Sequence, residues 1–205
     1  CLPAHARLLD EPTSEDVIEQ IDLVQSETAK LLTDIMVMVG DKLPYYAKDR
    51  IKYEIRRRVI KPMREKKFFW WYQPSTMNNW AAVCASGTGI AVLHFGTDEE
   101  KESILPFLTE SMHHFLSGYN DDGCCLEGPS YWNYGFSRFL AYAMAISDYT
   151  NGEINLFDNE KVKQIALFPQ RARLGRTKVA SFSDGEAEYS FFICVISLLR
   201  KVYGE

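Results

Sequence analysis

Five consecutive aromatic residues, Phe68-Phe69-Trp70-Trp71-Tyr72, are followed closely by Met77-Asn78-Asn79-Trp80. Neither a helix nor a strand can turn all five rings inward, so some of them must face outward. Flat rings beside paired amides suit a sugar: pyranose C–H groups lie on an aromatic face while Asn bonds hydroxyls or a carboxylate. The bland alternative is a run of core aromatics followed by an Asn helix cap. A second cluster begins at Asp121-Asp122-Gly123 and continues as Glu127-Gly128-Pro129-Ser130-Tyr131-Trp132-Asn133-Tyr134-Gly135. Gly-Pro-Ser is a turn that launches a helix, with Pro in its first turn. Beyond it, Tyr131, Tyr134, Arg138 and Tyr142 recur at spacings of three and four, a stripe apart from the apolar one. A solvated amphipathic face would look the same. If the stripe faces a cleft, an Arg near Tyr134 favours the phenolate and makes this residue a proton carrier below its usual pKa of roughly 10.

Other reactive side chains offer less. Cys1, Cys84, Cys124, Cys125 and Cys194 show neither metal-ligand spacing nor a disulfide framework, and the adjacent Cys124 and Cys125 are read as reduced thiols. No metal or cofactor is expected. His94, His113 and His114 fall inside predicted helices and are read as structural or surface residues. The net charge of -5 argues against a nucleic-acid partner, while leaving room for a local basic cleft. No apolar run is long enough to span a membrane. The chain opens at Cys1 without a visible signal peptide, so its start is read as processed, trimmed or engineered.

The elements that must position these clusters are helical. Val17, Ile21, Val24, Leu31, Ile35 and Val39 mark one face of a helix from Ser14, its N-cap, to a stop at Gly40. A second helix is predicted from about 47 to 67, with Ile51, Ile55 and Val59 buried and a kink at Pro62. Others are predicted over 79–95, 98–117, 129–149, 158–173 and 187–203. Ala82, Ser86 and Gly87 in the third would let a neighbouring helix approach closely. Only Lys178 to Phe182 has a strand-like pattern. The short gaps give antiparallel helix pairs in a single all-α domain over residues 1–205.

The ordered pair of Asn78-Asn79-Trp80-Ala81-Ala82-Val83-Cys84 and, some fifty residues later, Glu127 to Gly135 resembles heparinase II/III-type polysaccharide lyases and their alginate-lyase relatives. Gly40-Asp41-Lys42-Leu43-Pro44 and Ser181-Phe182-Ser183-Asp184 are similar to the same family's helical domain. The resemblance implies an incomplete α/α toroid followed by a β-sandwich domain, which this chain lacks and which would make it a fragment. It implies a periplasmic or secreted location and a uronate-containing polysaccharide as the partner. It also implies Asn79 as the group neutralising the uronate carboxylate, and Tyr134 as the catalytic Tyr. Many relatives have His where this chain has Trp80, so a base at that position is missing.

Such enzymes remove the C5 proton of a uronate and expel the 4-linked oxygen. The proton becomes acidic only when the adjacent carboxylate is neutralised by donors that stabilise the enolate-like transition state. Asn79 is the first candidate donor and Asn78 the second. Tyr134 is the candidate acid or base, with Tyr131 in reserve. Trp70, Trp71, Trp80 and Trp132 are candidate stacking platforms, Trp132 being also a core candidate, while Glu127 and Arg138 complete the expected substrate site. Two other readings compete: an α/α-barrel glycoside hydrolase, needing paired carboxylates such as Glu127 and Asp184, and a non-catalytic carbohydrate-binding helical domain.

Overall fold

The computed structural model describes residues 21–65, 69–73, 75 and 77–204. The expected cap Ser14 and the apolar Val17 lie outside them, as do Phe68 and Cys1. Helix α1 spans Leu23–Val39 and is capped by Asp22, whose carboxylate accepts from the Gln25 N–H at 2.8 Å. Gly40 ends it, as expected from sequence. Helix α2 spans Tyr45–Ile55 and runs through a π-helical turn, Arg56–Ile60, into α3, Lys61–Glu65. Pro62 has no N–H for the carbonyl one turn back, and the wider turn just before it accommodates that loss where a kink was expected.

Helix α4, Asn79–Phe95, and helix α5, Asp98–Ser117, have the expected bounds. Both start at strong signals. Asn78 accepts from the Trp80 N–H at 3.1 Å, and Thr97 with Glu100 forms a reciprocal capping box. Helix α4 is apolar all round and buried over most of its length, so it is the element the others pack on. Helices α1, α5 and α7 (Ser137–Tyr149) surround it. Its small residues set the distances. A Cβ on Gly87 would lie 2.2 Å from the Ser26 carbonyl oxygen of α1, and one on Gly89 would lie 2.4 Å from the Tyr142 ring of α7.

The expected helix over 129–149 is present, with a π-helical turn, Trp132–Phe136, between the short α6, Pro129–Tyr131, and α7. The expected 158–173 helix is two, α8 (Glu160–Ala166) and α9 (Phe168–Ala172), because Pro169 forces a restart. The last helix, α10, begins only at Ile193 and ends at Tyr203, not at about 187 as predicted. Residues before it are held extended: Lys178 pairs with Glu188 across an isolated bridge, and the Phe192 N–H donates to the Asn133 side chain at 2.9 Å. That bridge and another between Arg173 and Val179 are the extent of β pairing among the described residues, which are otherwise all-α.

Candidate functional site

The two sequence clusters meet at the N-terminus of α4. Asn79 is buried at 3% exposure, and its backbone N–H donates to Glu127 Oε2 at 3.2 Å. Its Nδ2 reaches Glu127 Oε1 at 3.1 Å and Oε2 at 3.2 Å. A carboxylate here also complements the positive end of the helix. Gly135 closes the arrangement from the other side. Its missing Cβ would lie 2.9 Å from Asn79 Cβ, so no side chain fits between the π turn and α4. The segment Phe182–Gly185 joins them at Gly128, where φ is +96° and a Cβ would lie 2.9 Å from the Phe182 carbonyl oxygen. Both the left-handed backbone and the close approach require glycine there. Three segments far apart in the chain thus converge on one corner.

A cavity of about 270 Å³ opens beside that corner, lined by Met77, Asn78, Phe115, Tyr119, Cys125 and Glu127, among others. Asn78 uses its carbonyl oxygen to cap α4, and its amide NH₂ makes no hydrogen bond among the described residues. Of the two paired amides, Asn78 therefore has the donor to offer a ligand, while the Asn79 amide is already held by Glu127. Burial pushes the Cys125 thiol up to about 11, which keeps it protonated and unreactive at neutral pH.

Tyr134 sits in a different setting. It is half-buried beside Glu27 of α1, and Arg138 lies over its ring at 5.5 Å from the centroid. The expected lowering of its pKa is wrong. Burial, and then the negative charge and hydrogen bond of Glu27, push the phenol up to about 12, although Arg138 pulls the other way. Burial is the largest cause; the ion pair between Arg138 Nη2 and Glu27 Oε1 at 2.6 Å adds a carboxylate beside the phenol that outweighs the guanidinium. Tyr134 does not line the Asn78 cavity. It is linked to that corner through Gly135.

No family model matches the chain, and no curated protein matches it.

The remaining candidates divide by burial. Trp71 is fully buried, with Nε1 donating to the Ile21 carbonyl at 2.9 Å, so it is not a sugar platform. Trp132 is likewise core, its Nε1 donating to the Ile165 carbonyl at 2.9 Å. Trp80 is half-exposed and packs edge-on against Trp70, with ring centroids 4.4 Å apart, leaving a partly open aromatic edge next to Asn78 and Asn79. Tyr131 is partly buried against the core. Tyr142 leaves the stripe it was expected to share: it is fully buried, and its hydroxyl meets Thr109 at 2.8 Å and the Leu105 carbonyl at 3.3 Å. His94 and His113 are exposed, while His114 Nδ1 lies 3.0 Å from the Tyr72 carbonyl. Among the described residues, no group of three His, Cys, Asp or Glu is placed to hold a metal, and no helix is long and apolar enough to cross a membrane.

Two participants escaped the sequence reading. Glu27 carries no local motif and reaches Arg138 only through the packing of α1, 111 residues away in the chain. Asn133 is fully buried; its Nδ2 donates to the Tyr189 hydroxyl at 3.0 Å, and its Oδ1 accepts from the Phe192 N–H. A polar residue between Trp132 and Tyr134 was the available signal for it.

Proposed function

We propose that the chain is the helical, substrate-cleft portion of a polysaccharide lyase that cleaves uronate-containing polymers by β-elimination, its helix pairs forming part of an α/α toroid. The observation that carries this reading is the convergence of Asn78-Asn79, Glu127 to Gly135 and Ser181 to Asp184 at one corner, tied by the Asn79–Glu127 hydrogen bonds. A helical scaffold without a site has no need to bring these three polar segments together. Asn78 donates to the uronate carboxylate from the cavity wall, Asn79 and Glu127 fix the loop that presents it, and Trp80 flanks a sugar ring. Once a base has taken the C5 proton, the C4–O4 bond breaks and the C4=C5 double bond forms. Protonation of the departing oxygen falls to Tyr134, held protonated by its high pKa, and this requires the polymer to extend from the Asn78 cavity to the Glu27 side of Gly135.

The test is incubation of the protein with a panel of uronate polymers while following the ultraviolet absorbance of the conjugated product. Only elimination creates that chromophore; hydrolysis or binding does not. Polymer cleavage without it would move the reading to a hydrolase, and binding without cleavage would move it to a carbohydrate-binding domain.

A further inference from the structure

A cavity of about 590 Å³, more than twice the volume of the one at the candidate site, lies between α10 and the α8–α9 pair. That volume is within the roughly 300–1,000 Å³ typical of small-molecule sites. The cavity's lining includes the apolar Leu167, Pro169, Phe191, Ile193, Ile196 and Leu199. The same lining carries Lys163, Arg173 and Arg200 and, among the described residues, no carboxylate. None of these three cations forms an ion pair among the described residues. For Tyr203, also in the lining, burial first and then the charges of Asp158 and Glu160 push the phenol up, and its hydroxyl donates to the Phe157 carbonyl at 3.0 Å. The cations come from three separate elements, α8, the end of α9 and α10, so their gathering is a product of the fold and not of one basic run. Unpaired like charges in a concave, partly apolar lining are costly unless an anion is drawn in.

We propose that this cavity is a second binding site, for a small amphipathic anion: a carboxylate, sulfate or phosphate head held by Lys163, Arg173 and Arg200, with an aliphatic or aromatic body against Phe191, Ile196 and Leu199. The apolar lining separates this ligand from a free sugar acid, which has no body to bury there. The site is independent of the lyase reading, since none of the candidate lyase residues lines it. It is nevertheless connected to them. The Phe191 ring packs edge-on against Trp132, with centroids 5.3 Å apart, and the next residue is bonded to Asn133, beside Tyr134.

The experiment titrates the protein with 8-anilinonaphthalene-1-sulfonate and then displaces it with decanoate, decanol or glucuronate. One dye is expected per chain, displaced by decanoate, and at least about tenfold less well by decanol or glucuronate, as losing a charge-assisted contact or the apolar burial implies. Arg173→Gln together with Arg200→Gln should weaken dye binding about tenfold, with the helical circular dichroism unchanged because both side chains are exposed. Decanol competing as well as decanoate would show a merely greasy surface, and glucuronate competing equally would show an unspecific cation patch. Either result, or several dyes bound per chain, overturns the proposal without any change to the variants being needed.

Discussion

Two carboxylates, Glu127 and Glu27, each hold a candidate functional side chain, and they do so under opposite electrostatic conditions. Glu127 faces the neutral amide and the backbone N–H of Asn79 at the start of α4, with no cation in the contact among the described residues. Glu27 faces a phenol and a guanidinium, and its ion pair with Arg138 is partly open to solvent, at 37% and 30% side-chain exposure. The first arrangement fixes shape: its bonds do not depend on moving a proton. The second holds a proton: burial and the Glu27 carboxylate keep Tyr134 protonated, with Arg138 pulling the other way. The two arrangements are set apart and joined through Gly135.

The comparison can be broken most decisively at Tyr134. Tyr134→Phe should lower turnover on a cleavable uronate polymer by roughly 10²–10⁴, the usual contribution of a positioned acid, while leaving the melting temperature within a few degrees of the parent. Retention of full turnover would place the chemistry elsewhere, Tyr131 first. Next is Gly135→Ala, whose methyl would push on Asn79 and on the Phe115 ring, 3.1 Å away. A loss of about 1–3 kcal/mol in denaturant unfolding is expected from overpacking. A neutral result would mean that the two clusters are not wedged together.

Removing the rigid carboxylate, as Glu127→Ala, leaves the buried Asn79 N–H and amide without their acceptor and should cost about 1–3 kcal/mol. Glu127→Gln keeps an acceptor and should recover part of that, a difference readable by chemical denaturation. The smallest effect belongs to the Glu27 side. Tyr134 titrates near 12 in the fold against roughly 10 when unfolded, so its protonated form stabilises the fold fully below pH 10. That contribution is lost as pH rises toward 12. Glu27→Gln removes a charge that raises this pKa, so the Tyr134 titration, followed by phenolate absorbance, should move down. An unchanged titration would leave burial as its sole cause.

Local signals made part of this legible in the sequence. The caps Asn78 and Thr97 have short-range signatures, and the helices they open have the bounds read from the chain. The pairing of the Asn78 and Glu127 regions was also readable as an ordered motif, although the hydrogen bonds between them were not. What sequence could not convey was helix register after a π turn. The turn at Trp132–Phe136 adds about one residue to a helical repeat and rotates everything after it by about 100°. Tyr131, which precedes the turn, is thereby rotated out of register with Arg138 and Tyr142, which both follow it. Tyr142, four residues beyond Arg138 in the same regular helix, is buried because its side of α7 packs against Gly89. The late start of α10 was equally hidden, because the extended segment before it is held by a side chain 59 residues upstream. Trp71 was misjudged for a simpler reason: alternation within five aromatics does not say which of them alternate inward.

Asn133 has a consequence for how the molecule opens. One buried amide holds both the Tyr189 hydroxyl and the Phe192 N–H, on the segment that leads into α10, and it belongs to the same π turn as Tyr134. If that latch opens, α10 loses its tether and the turn loses its lateral support in the same event. Local unfolding of the C-terminal helix and loss of order at Tyr134 are therefore expected to be coupled, and hydrogen exchange at the Phe192 amide is the measurement that checks it.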